Sequence, residues 1–101
     1  MRGKISIDGH QFKNENEYRR YRGVLELVKE GRLTQLEVNP EYLLVVNDVW
    51  IESYSPTFRF YDPIKKEYRT IQVNGTHHNP NLELKIKLYQ VLFETEVERW
   101  G

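Results

Sequence analysis

The sequence predicts an α+β domain in which a mixed β-sheet carries two helices and is preceded by a short hairpin. Three observations lead there. Two segments, one after Asn14 and one after Asn79, repeat apolar residues at helical spacing. The stretch between them is a series of short β-rich runs cut by Asn, Asp, Gly and Pro. A chain of 101 residues suffices for a single core, so residues 1–101 are expected to form one domain.

Ile5 and Ile7 alternate with polar neighbours, and Asp8-Gly9 supplies a turn before His10-Gln11-Phe12, which predicts the opening hairpin. Asn14, with Glu17 three residues later, has the form of a capping box in which Asn replaces the usual Ser or Thr. The helix that follows is amphipathic. Tyr18, Tyr21, Leu25 and Val28, widened by Val24 and Leu27, make its apolar stripe, while Arg19, Arg20, Arg22, Glu26 and Lys29 fall largely on other faces. Gly31 is placed to end it.

Beyond Leu33 the period changes. Leu36 and Val38 lead into the Asn39-Pro40 break, Tyr42 to Val46 and Val49 to Tyr54 read as strands joined at Asn47-Asp48, and Ser55-Pro56 interrupts again. Thr57 to Tyr61 and Tyr68 to Val73 read as two further strands around a loop at Asp62-Pro63. Asn79-Pro80-Asn81 predicts the start of the second helix, with Leu82, Ile86, Tyr89, Leu92 and Phe93 on its buried side. Thr95 to Trp100 is expected to close the sheet as a last strand.

Composition narrows the function classes. Lys plus Arg and Asp plus Glu balance at 15 each, so the chain lacks the overall basic excess that phosphate-driven DNA binding usually brings. Without cysteine there are no disulfides and no thiolate metal sites. No apolar run approaches a membrane span and the first residues lack the apolar core of a signal peptide. The expected setting is cytoplasmic, with no membrane partner and no small-molecule substrate.

A metal-dependent phosphodiester hydrolase needs hard oxygen ligands for Mg²⁺ and a group that steadies the attacking water and the charge growing on phosphate. A short antiparallel strand pair can supply them: one carboxylate at the start of the first strand, a second carboxylate and a lysine two residues apart on the next. Residues two apart share a strand face. The chain resembles the small phage and prophage endonuclease-like proteins of the PD-(D/E)XK superfamily, along almost its whole length. Asp8-Gly9, Phe12 and Glu17 match the family's hairpin and acidic helix; Gly31-Arg32-Leu33 and Leu36 match the end of that helix; Asn39-Pro40-Glu41-Tyr42 stands where the family has Gln-Pro-x-Phe. Pro56-Thr57-Phe58-Arg59-Phe60 takes the place of Ala-Asp-Phe-x-Tyr, Gln72-Val73-Asn74-Gly75 that of Glu-Val-Lys-Gly, and Leu84-Lys85-Ile86-Lys87-Leu88-Tyr89 is close to the last helix.

The resemblance implies a restriction-endonuclease-like sheet flanked by two helices. It also implies an altered site, because Thr57, Gln72 and Asn74 stand at the positions of the two acids and the lysine, and Glu17 alone keeps its acid. Magnesium is usually held by one or two carboxylates, so the expectation is a pseudoenzyme with no cofactor that binds a host protein or DNA, in replication, transcription or defence, in the cytoplasm of an infected bacterium. The alternatives are an active Mg²⁺-dependent endonuclease using Glu17 with Asp62 or Glu67 around Gln72, and a plain nucleic-acid binder using Arg19, Arg20, Arg22, Lys85 and Lys87. Each motif also has a plainer reading: Glu17 as a capping residue, Asp48 and Asp62 as turn residues, His77-His78 as a solvated loop, the arginines as a solvated helix face, and Tyr54, Phe58, Phe60, Tyr61 and Tyr68 as strand packing rather than base-stacking rings.

Overall fold

A computed structural model describes residues 5–7, 9–75 and 79–101. Strands β1 (Ile5–Ile7) and β2 (His10–Phe12) form the opening antiparallel hairpin, with Gly9 at φ +78° in the turn. Asp8 of that turn, and the predicted His77-His78 loop, lie outside the described residues.

Helix α1 (Glu15–Lys29) starts as its sequence dictates: the Asn14 Oδ1 accepts the Glu17 N–H at 2.9 Å. The reciprocal bond differs from a standard box, since the Glu17 carboxylate accepts the Lys13 N–H at 3.2 Å, one residue before the cap. Its far end closes as a Schellman motif. Gly31, at φ +77°, donates to the Val28 carbonyl and Arg32 to the Leu27 carbonyl.

Four strands make the main sheet: β3 (Thr34–Val38), β6 (Phe58–Asp62), β7 (Glu67–Val73) and β8 (Val97–Trp100), in the order β3-β6-β7-β8. The first two pairings are antiparallel and β7-β8 is parallel. A parallel neighbour needs a crossover, and helix α2 (Pro80–Phe93) supplies it, capped by the Asn79 side chain on the N–H groups of Asn81 and Leu82 with Pro80 in its first turn.

Both faces of this sheet are covered. On one side Phe58, Phe60, Ile71 and Val73 pack with Phe12, Tyr21, Val24 and Leu33 beneath α1. On the other, Val97 joins Ile86 and Tyr89 of α2 and Leu44 and Tyr54 from the remaining strands, β4 (Tyr42–Val46) and β5 (Val49–Tyr54). The sequence placed these two strands in the common sheet. They instead pair only with each other, because Asn39-Pro40 and Ser55-Pro56 interrupt the ladder on both sides and send residues 40–56 out as an arm over α2. The Asn39 N–H donates to the Thr57 carbonyl at 3.0 Å and closes the arm at its base. Phe93, expected in the core, is 44% exposed and stacks on Tyr89 at the helix end.

Three strands are also tied by charge. Arg69 of β7 donates twice to Glu98 of β8, both at 2.7 Å, and once to Asp62 of β6 at 3.2 Å. The Lys65 N–H, followed by the Ile64 N–H and Arg69, holds the Asp62 carboxyl below its ordinary value near 3.8; Arg69 does the same for Glu98, ordinarily near 4.5. Both carboxylates are depressed in the folded state, so their stabilisation is present above the unfolded values and lost as the pH falls through the folded ones. Unfolding free energy should therefore decline with pH below about 5. In urea titrations across this range Arg69→Met should flatten the decline in part, since the Lys65 and Ile64 N–H groups still hold Asp62, and unchanged slopes would show that Arg69 contributes nothing.

Candidate functional site

Thr57, Gln72 and Asn74 lie along one seam of the sheet. Thr57 precedes β6 and is locked by three bonds: its N–H donates to the Ile71 carbonyl at 2.9 Å, its carbonyl accepts from Asn39, and its Oγ1 accepts the Val73 N–H at 3.0 Å. Ile71 and Val73 flank Gln72, so Thr57 sits opposite it, where the resemblance expects two acids to face each other. Gln72 is buried. Its Oε1 accepts the Tyr54 hydroxyl at 2.7 Å and its Nε2 donates to the Val73 carbonyl at 3.2 Å. Asn74, two residues along the chain, accepts at its Oδ1 from Arg99 Nε at 3.2 Å. Arg99 in turn donates to both Glu83 oxygens, at 3.0 and 2.9 Å.

An amide oxygen can ligate a cation, but both amide oxygens here already accept hydrogen bonds, and the donor on Asn74 is a guanidinium whose charge opposes a metal ion. Burial pushes the Tyr54 phenol well above its ordinary range, so it stays a neutral donor to Gln72. Among the described residues no three His, Cys, Asp or Glu side chains are grouped to hold a metal.

Glu17 does not join the seam. It is buried on α1, over the sheet face that carries Ile71 and Val73, whereas alternation turns Gln72 toward α2. Its observed bond is the one to Lys13. Asn74 does open toward the start of α1, across a cleft of about 480 Å³ lined by Asn14, Glu15, Asn16 and Arg19, and Glu17 is not in that lining. Asp48 sits in the β4-β5 turn at φ +64°, Asp62 caps the β6-β7 turn through Ile64 and Lys65, and exposed Glu67 pairs with Asp62 in the register, at the opposite end of β7 from Gln72.

The predicted binding residues do not form one surface. Arg19, Arg20 and Arg22 are exposed on α1, while Lys85 and Lys87 are on α2 across the sheet. Arg20 bonds the Gly101 carbonyl at 2.9 Å and lies over the Trp100 ring, lining a cleft of about 620 Å³ with Arg19 and Asn16. Phe58, Phe60 and Tyr54 are core residues, and Tyr68 is exposed with the Arg59 guanidinium over its ring at 4.2 Å from the centroid. Sequence reading missed the Tyr54-Gln72 bond and the Arg69 cluster. Alternation along β7 could have found both, because it puts Arg69 with Ile71 and Thr70 with Gln72 on two faces that are each expected to be buried.

Tyr54→Phe keeps the ring and strands the Gln72 Oε1, so it should lower unfolding free energy by about 1–3 kcal/mol. Adding Gln72→Leu to that variant should return part of the loss, read by urea denaturation as a non-additive pair.

Among the described residues no helix is long and apolar enough to cross a membrane. Comparison of the chain with family models, with curated proteins and with solved structures finds no match.

Proposed function

We propose that the chain is a catalytically inert protein on a PD-(D/E)XK nuclease-like scaffold and that it acts by binding, with a protein or DNA of the bacterial cytoplasm as partner. The observation that carries this reading is the state of the seam. Where a nuclease would present two acids and a lysine to a metal and a phosphate, Thr57, Gln72 and Asn74 are each engaged in hydrogen bonds that hold the fold. The element order supports the scaffold: a helix bearing Glu17, an antiparallel pair with Thr57 opposite Gln72, then a helix and a parallel last strand. A second reading, a nucleic-acid interface on α1, rests on the cleft lined by Arg19 and Arg20. Phosphate contacts there would make affinity fall steeply with salt.

Incubation with supercoiled, branched and single-stranded DNA in Mg²⁺ or Mn²⁺ should give no cleavage. Cleavage that Glu17→Ala abolishes would overturn the proposal. The scaffold has its own test. Thr57→Asp, Gln72→Glu and Asn74→Lys together should create Mn²⁺ binding, measured by calorimetry, that the parent protein lacks. A folded triple variant that binds no metal would argue against nuclease ancestry.

A further inference from the structure

The arm that leaves the sheet at residue 40 and returns at 56 carries an apolar surface that none of the described residues covers. Its inner side meets α2 through Leu44 and Tyr54, both buried. The register then fixes what faces outward: Val45 stands opposite Trp50, and Leu43 opposite Ser53. By the same alternation Val49, paired with Val46, turns to the other face and Ile51 lines the groove against α2, so the outer face carries Leu43, Val45 and Trp50, three large apolar side chains between 41% and 58% exposed. Scattered exposed apolar residues are ordinary, but a cluster of this kind with an indole at its centre is what partner surfaces look like.

Charge selects the occupant. From Leu33 to Phe58 the sequence holds no Lys or Arg, while Glu41 and Asp48 are exposed at the two ends of the arm and Glu52 lies on its inner side. Of the bases on neighbouring elements, Lys85 lines the inner groove with Ile51 and Glu52, and Arg59 lies beside Tyr42 at the base of the arm. An acidic border repels nucleic-acid phosphates. It also disfavours two copies meeting arm to arm, since a two-fold contact would set each acidic border against itself. A protein surface with an apolar centre and a Lys/Arg border meets neither objection.

We propose that the outer face of the β4-β5 arm, centred on Trp50 and Val45, is the docking surface for a protein partner whose apolar contact patch is bordered by lysine or arginine. This deepens, and rests on, the reading of the chain as a binding protein. The arm is tied to the sheet through its ends and the Tyr54-Gln72 bond and packs by its inner face, so a partner on the outer face would be gripped without disturbing either core.

The probe is a displayed library of random peptides, offered to the immobilised full-length protein and, in parallel, to a Trp50→Ser/Val45→Ser variant. Both substituted side chains are exposed, and an unchanged thermal unfolding midpoint confirms that the variant folds. Selected peptides should combine bulky apolar residues with Lys or Arg, shift the Trp50 fluorescence to the blue, and lose about tenfold or more in affinity for the variant. Glu41→Lys/Asp48→Lys, which leaves the apolar centre intact, should invert the preference toward acidic peptides. Peptides retained by the serine variant, peptides without a basic bias, or no selection at all would overturn the proposal. So would sedimentation showing self-association that Trp50→Ser abolishes, or duplex DNA bound through the arm. Those failures leave the inert seam untouched, whereas Glu17-dependent cleavage would remove the reading beneath it and is scored in a separate assay.

Discussion

Strand β7 has neighbours on both edges and a packed layer on both faces, and the rest of the molecule is organised around that double burial. Ile71 and Val73 enter the core beneath α1, while Thr70 and Gln72 face α2. A polar side chain in such a place must find its partners inside the protein, because water cannot reach it. Thr70 meets the Tyr89 hydroxyl at 3.1 Å and Gln72 meets that of Tyr54. The two tyrosines therefore do more than fill space: one comes from the crossover helix and one from the arm, and each is anchored to the same strand. No buried side-chain polar atom is left without a partner among the described residues.

That constraint bears directly on chemistry. A strand buried on both faces can host a reactive residue only where the covering layer opens. Over Gln72 the layer is closed by Tyr54, and beyond it Asn74 is met by Arg99, itself held by Glu83. A carboxylate at Gln72 would have to be compensated by a cation or expelled; a neutral amide fits the tyrosine donor without either. Packing and hydrogen bonding are thereby satisfied along the seam without any ionised group on Gln72.

Much of the fold was legible because it depends on local rules. Asn14, Gly31, Asn79 and Pro80 mark helix ends by satisfying or avoiding backbone hydrogen bonds, and they did so within a residue of the observed limits. The strands were legible for the same reason. What the sequence concealed was partnership: nothing local distinguishes a strand that joins the main sheet from one that pairs only with its neighbour, and β4 and β5 took the second course. Phe93 was misjudged because helical spacing continues past the point where the layer above it ends. At the seam, the placing of Thr57 near Gln72 was an expectation of the resemblance, and the bond to Tyr54 spans from an arm whose position only the tertiary structure fixes. Glu17 was legible as a cap, and that is the role its carboxylate fills.

The single hydrogen bond from Asn39 to the Thr57 carbonyl has a wider meaning for how this surface can change. It brings the two ends of residues 40–56 together within the sheet, so the span between them is a closed loop grafted onto a finished ladder. Loop closure depends only slowly on loop length, and residues inside such a loop can be exchanged, lengthened or shortened without moving the register of β3 against β6. The arm is in that sense a cassette. Its outward positions are free to follow whatever they touch, while Leu44 and Tyr54 stay bound to the layer beneath.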